Sequence, residues 1–309
     1  MGVALERALQ SDEPVLLLEL VAALWHLWDE RAQLVEGQRW ADAALDRSEN
    51  TSSALRIEVT SAAARFARDR GQFERAGTLL EQVRLLAIET GDDAALASAL
   101  SQLGRSASLQ GDHQAAAELC EQAVALRRAG DDRERLGGAL YNLGNALAES
   151  GDAAESLVRF REAGEILAAE GSEYGTAVVQ QGIGWALLVG GEYASSLTAS
   201  ADGLRLMRPI GDSYAVTLGL ANIASALMRL DLWEEGSRLG GSADTQQEES
   251  GYAGSASGLS WADELQAAAR RALGDAEYER LTAEGATLGL DAAVELALEL
   301  SEAHGARLD

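Results

Sequence analysis

The chain has 309 residues and a formal net charge of −25, from 50 acidic and 25 basic side chains, all of the latter Arg. The absence of Lys excludes a P-loop lysine, a Schiff-base lysine for pyridoxal phosphate and a protein-kinase strand lysine. The acidity opposes nonspecific binding to DNA, RNA or an anionic membrane face, and the single Cys120 leaves no disulfide within the chain.

No apolar run reaches the roughly 18 residues that a membrane span needs, and the N-terminus lacks a charged-then-apolar signal pattern. These features predict a soluble, cytoplasmic protein. Ala, Leu, Glu and Arg dominate, and Pro occurs only at 14 and 209, so the expected content is helix. The 32 Gly are more than a helical chain needs, and their spacing explains them.

In chain order, Gly71-Gln72, Gly111-Asp112, Gly151-Asp152 and Gly191-Glu192 fall 40 residues apart, and Asp231-Leu232 continues the series without its Gly. Between them lie Gly91-Asp92, Gly130-Asp131, Gly171-Ser172, Gly211-Asp212 and Gly251-Tyr252. Each pair reads as a helix stop in a left-handed Gly, followed by a helix start capped by a short polar side chain. Every unit is therefore two antiparallel helices of similar length. Leu100, Leu103 and Gly104 recur as Leu140, Leu143 and Gly144, as Ile183 and Gly184, and as Leu220, Ile223 and Ala224. An apolar stripe with a small residue beside it lets the neighbouring helix approach closely.

This is the tetratricopeptide (TPR) pattern, with each helix about three residues longer than in the usual repeat of about 34. Armadillo and HEAT repeats have a similar period but unequal or three-helix units. The chain is expected to be all-α: one right-handed superhelical solenoid over 1–309, with units starting near 12, 52, 92, 132, 172 and 212. An atypical seventh unit and C-terminal cap fill 252–309, after a polar stretch, Ser242–Ser250, that reads as prone to fray. Length alone suggests about two domains; the unbroken repeat overrides it.

Both ends carry further signals. Ala4-Leu5-Glu6-Arg7-Ala8-Leu9, Leu24-Trp25-His26-Leu27-Trp28 and Glu36-Gly37-Gln38-Arg39-Trp40 open the chain. Arg270-Arg271-Ala272-Leu273-Gly274-Asp275-Ala276-Glu277-Tyr278, Ala283-Glu284-Gly285 and Leu290-Asp291-Ala292-Ala293-Val294 close it. These segments resemble the C-terminal TPR region of large bacterial NTPase-linked transcriptional regulators of the LuxR and SARP types, whose signal-transduction NTPase (STAND) module precedes the repeats. The resemblance implies an NTPase and a DNA-binding domain as partners within a parent chain. Neither a G-x-x-x-x-G-K-[ST] loop nor a basic recognition helix is present here. A fragment of such a regulator and a stand-alone repeat protein both fit, and the start directly inside the first matching helix favours the fragment.

Catalysis has little to stand on. His26, His113 and His304 are far apart with no Cys or carboxylate at a ligand spacing, and His113 in its turn reads as solvent-exposed. Cys120 shares a stripe with Ala116, Ala123 and Val124 and reads as a small buried hydrophobe. Asp92-Asp93 and Asp131-Asp132 follow Gly at repeat boundaries and read as caps, not as a metal site. No enzyme, metal or cofactor is expected.

In TPR arrays the first helix of each hairpin lines the concave groove, and the family resemblance assigns groove positions relative to the small residue. Counting from Gly104 gives Ser98, Ser101, Gln102, Arg105 and Ser108. Steps of 40 give Arg65 and Arg68; Tyr141, Asn142, Asn145 and Glu149; Gln181 and Trp185; Asn222 and Arg229; and Trp25 and Trp28 in the first unit. Trp25 and Trp28 read instead as core, or as a contact with a preceding domain. Arg grips carboxylate or phosphate, amides hold a peptide backbone, and Trp or Tyr offers flat surfaces. The plainer alternative is that Arg65, Arg68 and Arg105 pair with acids on neighbouring helices while Trp185 packs between units. The expected function is a sensor or interaction module for a protein, peptide or small molecule; a constitutive scaffold is the alternative.

Overall fold

The computed structural model describes residues 2–11, 13–31, 33–49, 51–250 and 256–305. Among these residues every regular element is a helix. In order they are α1 (Gly2–Gln10), α2 (Pro14–Glu30), α3 (Leu34–Leu45), α4 (Ser53–Asp69), α5 (Phe73–Thr90), α6 (Asp93–Leu109), α7 (His113–Ala129) and α8 (Arg133–Glu149). There follow α9 (Ala153–Ala169), α10 (Glu173–Val189), α11 (Tyr193–Met207), α12 (Ser213–Arg229), α13 (Trp233–Ser250), α14 (Ala256–Leu273), α15 (Asp275–Ala286) and α16 (Leu290–Gly305). Residues 12 and 251–255, where the sequence places two unit starts, lie outside the described residues.

The boundaries follow from the Gly–polar pairs. Asp92, Asp112, Asp132, Asp152, Ser172 and Asp212 each accept a hydrogen bond from the amide three residues on, capping the helix they open. The preceding turns close through left-handed Gly, from Gly71 at φ 74° to Gly211 at φ 82°. Two positions differ from expectation. Gly130 sits one residue short of the period and is extended, at φ −104° and ψ 177°. Asp231, where the series lacks its Gly, takes the left-handed conformation itself, at φ 61°.

Successive helices pack in pairs, and each first helix also reaches the first helix of the next unit: α4 to α6, α6 to α8, α8 to α10 and α10 to α12. That shared inner layer is the concave side of a TPR-like solenoid. The two helices of a hairpin cross at a small residue of the first helix. A Cβ added at Gly104 would lie 2.6 Å from Cys120 Sγ, and one at Gly144 would lie 2.7 Å from the Phe160 ring. Ser156 Oγ and Ser196 Oγ donate across the crossings to the carbonyls of Gly144 (2.7 Å) and Gly184 (2.8 Å). Leu100, Leu140, Leu143, Leu220 and Ile223 are buried as the stripe requires, and so is Cys120. Burial pushes the Cys120 thiol up to about 12.

The C-terminal part departs from the repeat. The polar stretch expected to fray is helical instead, as the second half of α13. The reason is a tight helix crossing, since α15 packs along α13 with Gly241 against Thr282 and Gly285 against Arg238. Ser237 and Ser242 are fully buried there. Because α15 takes this place, α14 leaves the stack and runs on the concave side, touching α12 and reaching α6. Finally α16 folds back over α11, α12 and α13, burying Ala293, Val294 and Ala297. Its rim is held by Arg205–Glu302 (2.9 Å) and Arg208–Glu295 (2.6 Å).

Candidate ligand groove

Trp25, Arg65, Arg105, Asn145 and Trp185 occupy one register position on the successive first helices α2, α4, α6, α8 and α10. At the N-terminal end these side chains are paired. Arg65 Nη2 lies 2.7 Å from Asp29 Oδ2, and its guanidinium sits 5.6 Å from the centre of the Trp25 ring. Arg68 is 1% exposed; its Nε donates to Asp69 Oδ1 at 2.8 Å and its Nη1 to Gln102 Oε1 at 3.3 Å. Burial, then repulsion from Arg105, pulls Arg68 down to about 10, with Asp69 opposing, so it stays charged near neutrality. Burial pushes Asp69 up, but Arg68, Arg105 and Arg65 outweigh it and hold the carboxyl below its ordinary value.

The centre of the groove is different. Arg105, Asn142 and Asn145 are half-buried. Arg105 has no ion pair within 4 Å among the described residues, and none of the three makes a hydrogen bond among them. Burial works against the Arg105 charge, yet Asp69 and the phenols of Tyr214, Tyr141 and Tyr174 hold its pKa above the ordinary value. Tyr141 also packs on Phe160, ring centres 5.6 Å apart. Tyr174 donates to Asp212 at 3.0 Å. Tyr174 and Tyr214 escape the sequence reading because they belong to units five and six, while their electrostatic effect falls on Arg105 of unit three. Their spacing of 40 in the first turns of α10 and α12 was the available signal.

Toward the C-terminus the groove is filled by the chain itself. Trp185 meets Trp261 of α14 edge-on, ring centres 5.6 Å apart at 66°. The Arg229 guanidinium lies 4.8 Å from the Trp261 ring centre and 3.2 Å from Glu264 Oε1. Gln181 is 5% exposed and wedged against Gly203 and Gly219 rather than open to the groove. Its main-chain carbonyl accepts from Asn222 Nδ2 at 3.4 Å.

The remaining positions are occupied locally. Ser98 accepts from Arg127 at 2.6 Å. Ser108 donates to Glu149 at 2.6 Å, and His113 Nδ1 lies 3.7 Å from the same carboxylate. His113 is therefore the first residue of a helix beside an acid, not a free turn residue. Trp28 is buried in the N-terminal core. Among the described residues no group of three or more His, Cys, Asp or Glu is placed to hold a metal ion. Among the described residues no helix is long and apolar enough to cross a membrane.

Residues 55–129 match the family model of the tetratricopeptide repeat. No curated protein matches the chain. Among solved structures, a Rap protein complexed with Competence and Sporulation Factor is similar over 96% of this chain and 89% of its own, with TM-score 0.64 and 12% identity. A Signal Transduction ATPase with Numerous Domains protein with a tetratricopeptide repeat sensor, from Pyrococcus horikoshii, matches 99% of this chain and 46% of its own, with TM-score 0.58 and 13% identity. Aspartyl phosphate phosphatase F from Bacillus subtilis covers 93% of this chain and 84% of its own, with TM-score 0.55 and 10% identity. At such identities the likeness shows the shared fold: a TPR-type helical repeat module.

Proposed function

We propose that the chain is a non-catalytic binding module whose concave groove takes a peptide or small molecule bearing a carboxylate, and that it serves as the sensor arm of a bacterial transcriptional regulator. One observation carries the binding: Arg105 is a cation without an ion-pair partner among the described residues, at the centre of a groove in a chain of net charge −25. Around it Arg65, Arg68 and Arg105 face Asp29 and Asp69, leaving one positive charge, which suits a monoanion. The bare amides of Asn142 and Asn145 beside it suit a peptide backbone. The fold neighbours support the regulatory half of the reading: one is a Rap protein in complex with Competence and Sporulation Factor, another an ATPase with a repeat sensor. A ligand that prefers one superhelical pitch shifts the population of arm conformations and so the arm's contacts with an attached NTPase module.

The test is a calorimetric titration with short peptides in pairs, free acid against C-terminal amide. Free acids bind and amides do not. Arg105→Ala or Asn145→Ala weakens binding by about 1–3 kcal/mol, the loss for a charge-assisted contact, without moving the melting temperature. Equal binding of acid and amide, or an unchanged affinity in Arg105→Ala, overturns the reading. A constitutive scaffold is the second reading, favoured by the Arg–acid pairs that already occupy the N-terminal end of the groove; it shows no ligand-dependent compaction in solution scattering. The isolated chain should neither hydrolyse ATP nor bind duplex DNA at physiological salt, and saturable ATP turnover would count against a purely binding role.

A further inference from the structure

The groove already holds a guest. We infer that its C-terminal half is a docking site for an amphipathic helix carrying an aromatic residue and, three positions later, an acid, and that α14 occupies this site until a partner's helix of that kind displaces it. The inference rests on the binding-module reading but on different residues. In a regular array α14 would stack on α13; here α15 takes that place, and α14 lies across the concave side from α12 toward α6. Its anchors repeat every three to four residues: Trp261 on Trp185, Glu264 on Arg229, and Leu265 and Ala269 buried in the cluster with Met228 and Tyr278. That is helix-in-groove recognition, with i, i+3, i+4 anchors.

The attachment is uneven along α14. Its C-terminal end is tied to α15, with Arg270 stacked 4.5 Å from the Tyr278 ring centre and 3.2 Å from Glu279. Gly274, left-handed at φ 82°, makes the corner between the two helices. Among the described residues, the part ahead of this corner is held by Trp261 against Trp185 and under the Arg229 guanidinium, by the Glu264–Arg229 ion pair and by an exposed Gln266–Asp244 hydrogen bond. A competing helix with an aromatic residue and an acid offers the same contacts. Arg229 is a cation in an acidic protein and selects an acid from any competing helix, while Trp185 selects a ring. Because α14 also reaches α6, which carries Arg105, departure of α14 widens the approach to the central site.

A fluorescently labelled peptide of residues 261–273 serves as the probe, titrated against the full chain. As a tethered competitor, the resident helix holds the site at high effective concentration, so the wild-type chain binds the probe weakly. Trp261→Ala and, separately, the surface charge reversal Glu264→Arg each bind it at least tenfold more tightly. Adding Trp185→Ala to Glu264→Arg removes the gain. Amide exchange speeds up over 261–273 in Glu264→Arg and stays unchanged in α12, which keeps the test valid even if Trp261→Ala folds poorly. Equal probe affinity across wild type and variants, no binding to either opened variant, or unaltered exchange over 261–273 each overturns the inference. If the probe fails while free-acid peptides still bind through Arg105, only the docking of α14 is wrong; if both fail, the binding-module reading falls with it.

Discussion

At the scale of single residues, the buried pair Arg68–Asp69 anchors the N-terminal end of the groove. Two adjacent charged residues near the end of α4 are both almost wholly inaccessible. They tolerate burial because each neutralises the other, while Gln102 satisfies part of the guanidinium from the next unit. Removing one partner is far worse than removing both, since a lone buried charge keeps its full desolvation cost. Asp69→Asn should therefore lower unfolding free energy by about 3–5 kcal/mol in urea denaturation at pH 7. The sign of its pH dependence follows from the direction of the shift. With the folded carboxyl below its ordinary 3.8, the contribution of Asp69 is complete above that value and disappears as pH falls through the lower folded pKa. The gap between wild type and Asp69→Asn should accordingly close below about pH 3.8; a gap that persisted there would mean the carboxylate does not hold Arg68.

Asp231 shows the opposite economy of a single position. It holds a left-handed backbone that its four counterparts in the 40-residue series, Gly71, Gly111, Gly151 and Gly191, give to Gly. Any side chain there meets the following carbonyl, though Asp suffers less than most residues. Asp231→Gly should stabilise the chain by roughly 0.5 kcal/mol in thermal unfolding, since the relief of strain exceeds the added backbone entropy of Gly. A loss of stability on that change would show that the Asp231 carboxylate supports the start of α13.

Among the helices, spacing is set by what is missing from their surfaces. Along the regular repeats each crossing has a small residue on the first helix, Gly104, Gly144, Gly184 or Ala224, and the C-terminal cap has Gly241 and Gly285. The last is the tightest: a Cβ at Gly285 would lie 1.8 Å from the carbonyl oxygen of Arg238. Backbone cannot yield as a side chain end can, so Gly285→Ala must push α15 away from α13 and cost at least the 1–3 kcal/mol usual for overpacking. Because α15 holds the C-terminal end of α14, hydrogen exchange should rise across both helices in this variant. Normal protection of α14 beside a loosened α15 would show that α14 is held by the groove alone.

For the molecule as a whole, the excess of acids is the governing term. Arg pairs with neighbouring acids at many places on the rim, but 25 Arg cannot neutralise 50 carboxylates. The remainder repel one another in the compact state. Raising ionic strength from about 10 mM to about 150 mM shortens the screening length from roughly 30 Å to roughly 8 Å. That weakens long-range repulsion more than the 2.6 Å contacts of surface ion pairs such as Arg39–Glu6, Arg128–Glu162 and Arg208–Glu295. The melting temperature should therefore rise with salt; a fall would place the balance with the ion pairs instead.

The sequence by itself determined the repeat, the helix starts and stops, the small residues at the crossings and the register that puts Arg65, Arg105, Asn145 and Trp185 in equivalent places. All of these depend on contacts within one unit or between neighbours, and such contacts write themselves into the chain at a fixed period. The tertiary structure alone decided the rest. Arg65 finds Asp29, Tyr214 acts electrostatically on Arg105 from three units away, and α14 turns into the groove to set Trp261 against Trp185. These pairings depend on the small rotation from each unit to the next, summed over several units. A small rotation leaves no mark at any single position, but its sum fixes how far the groove closes and which distant residues meet inside it.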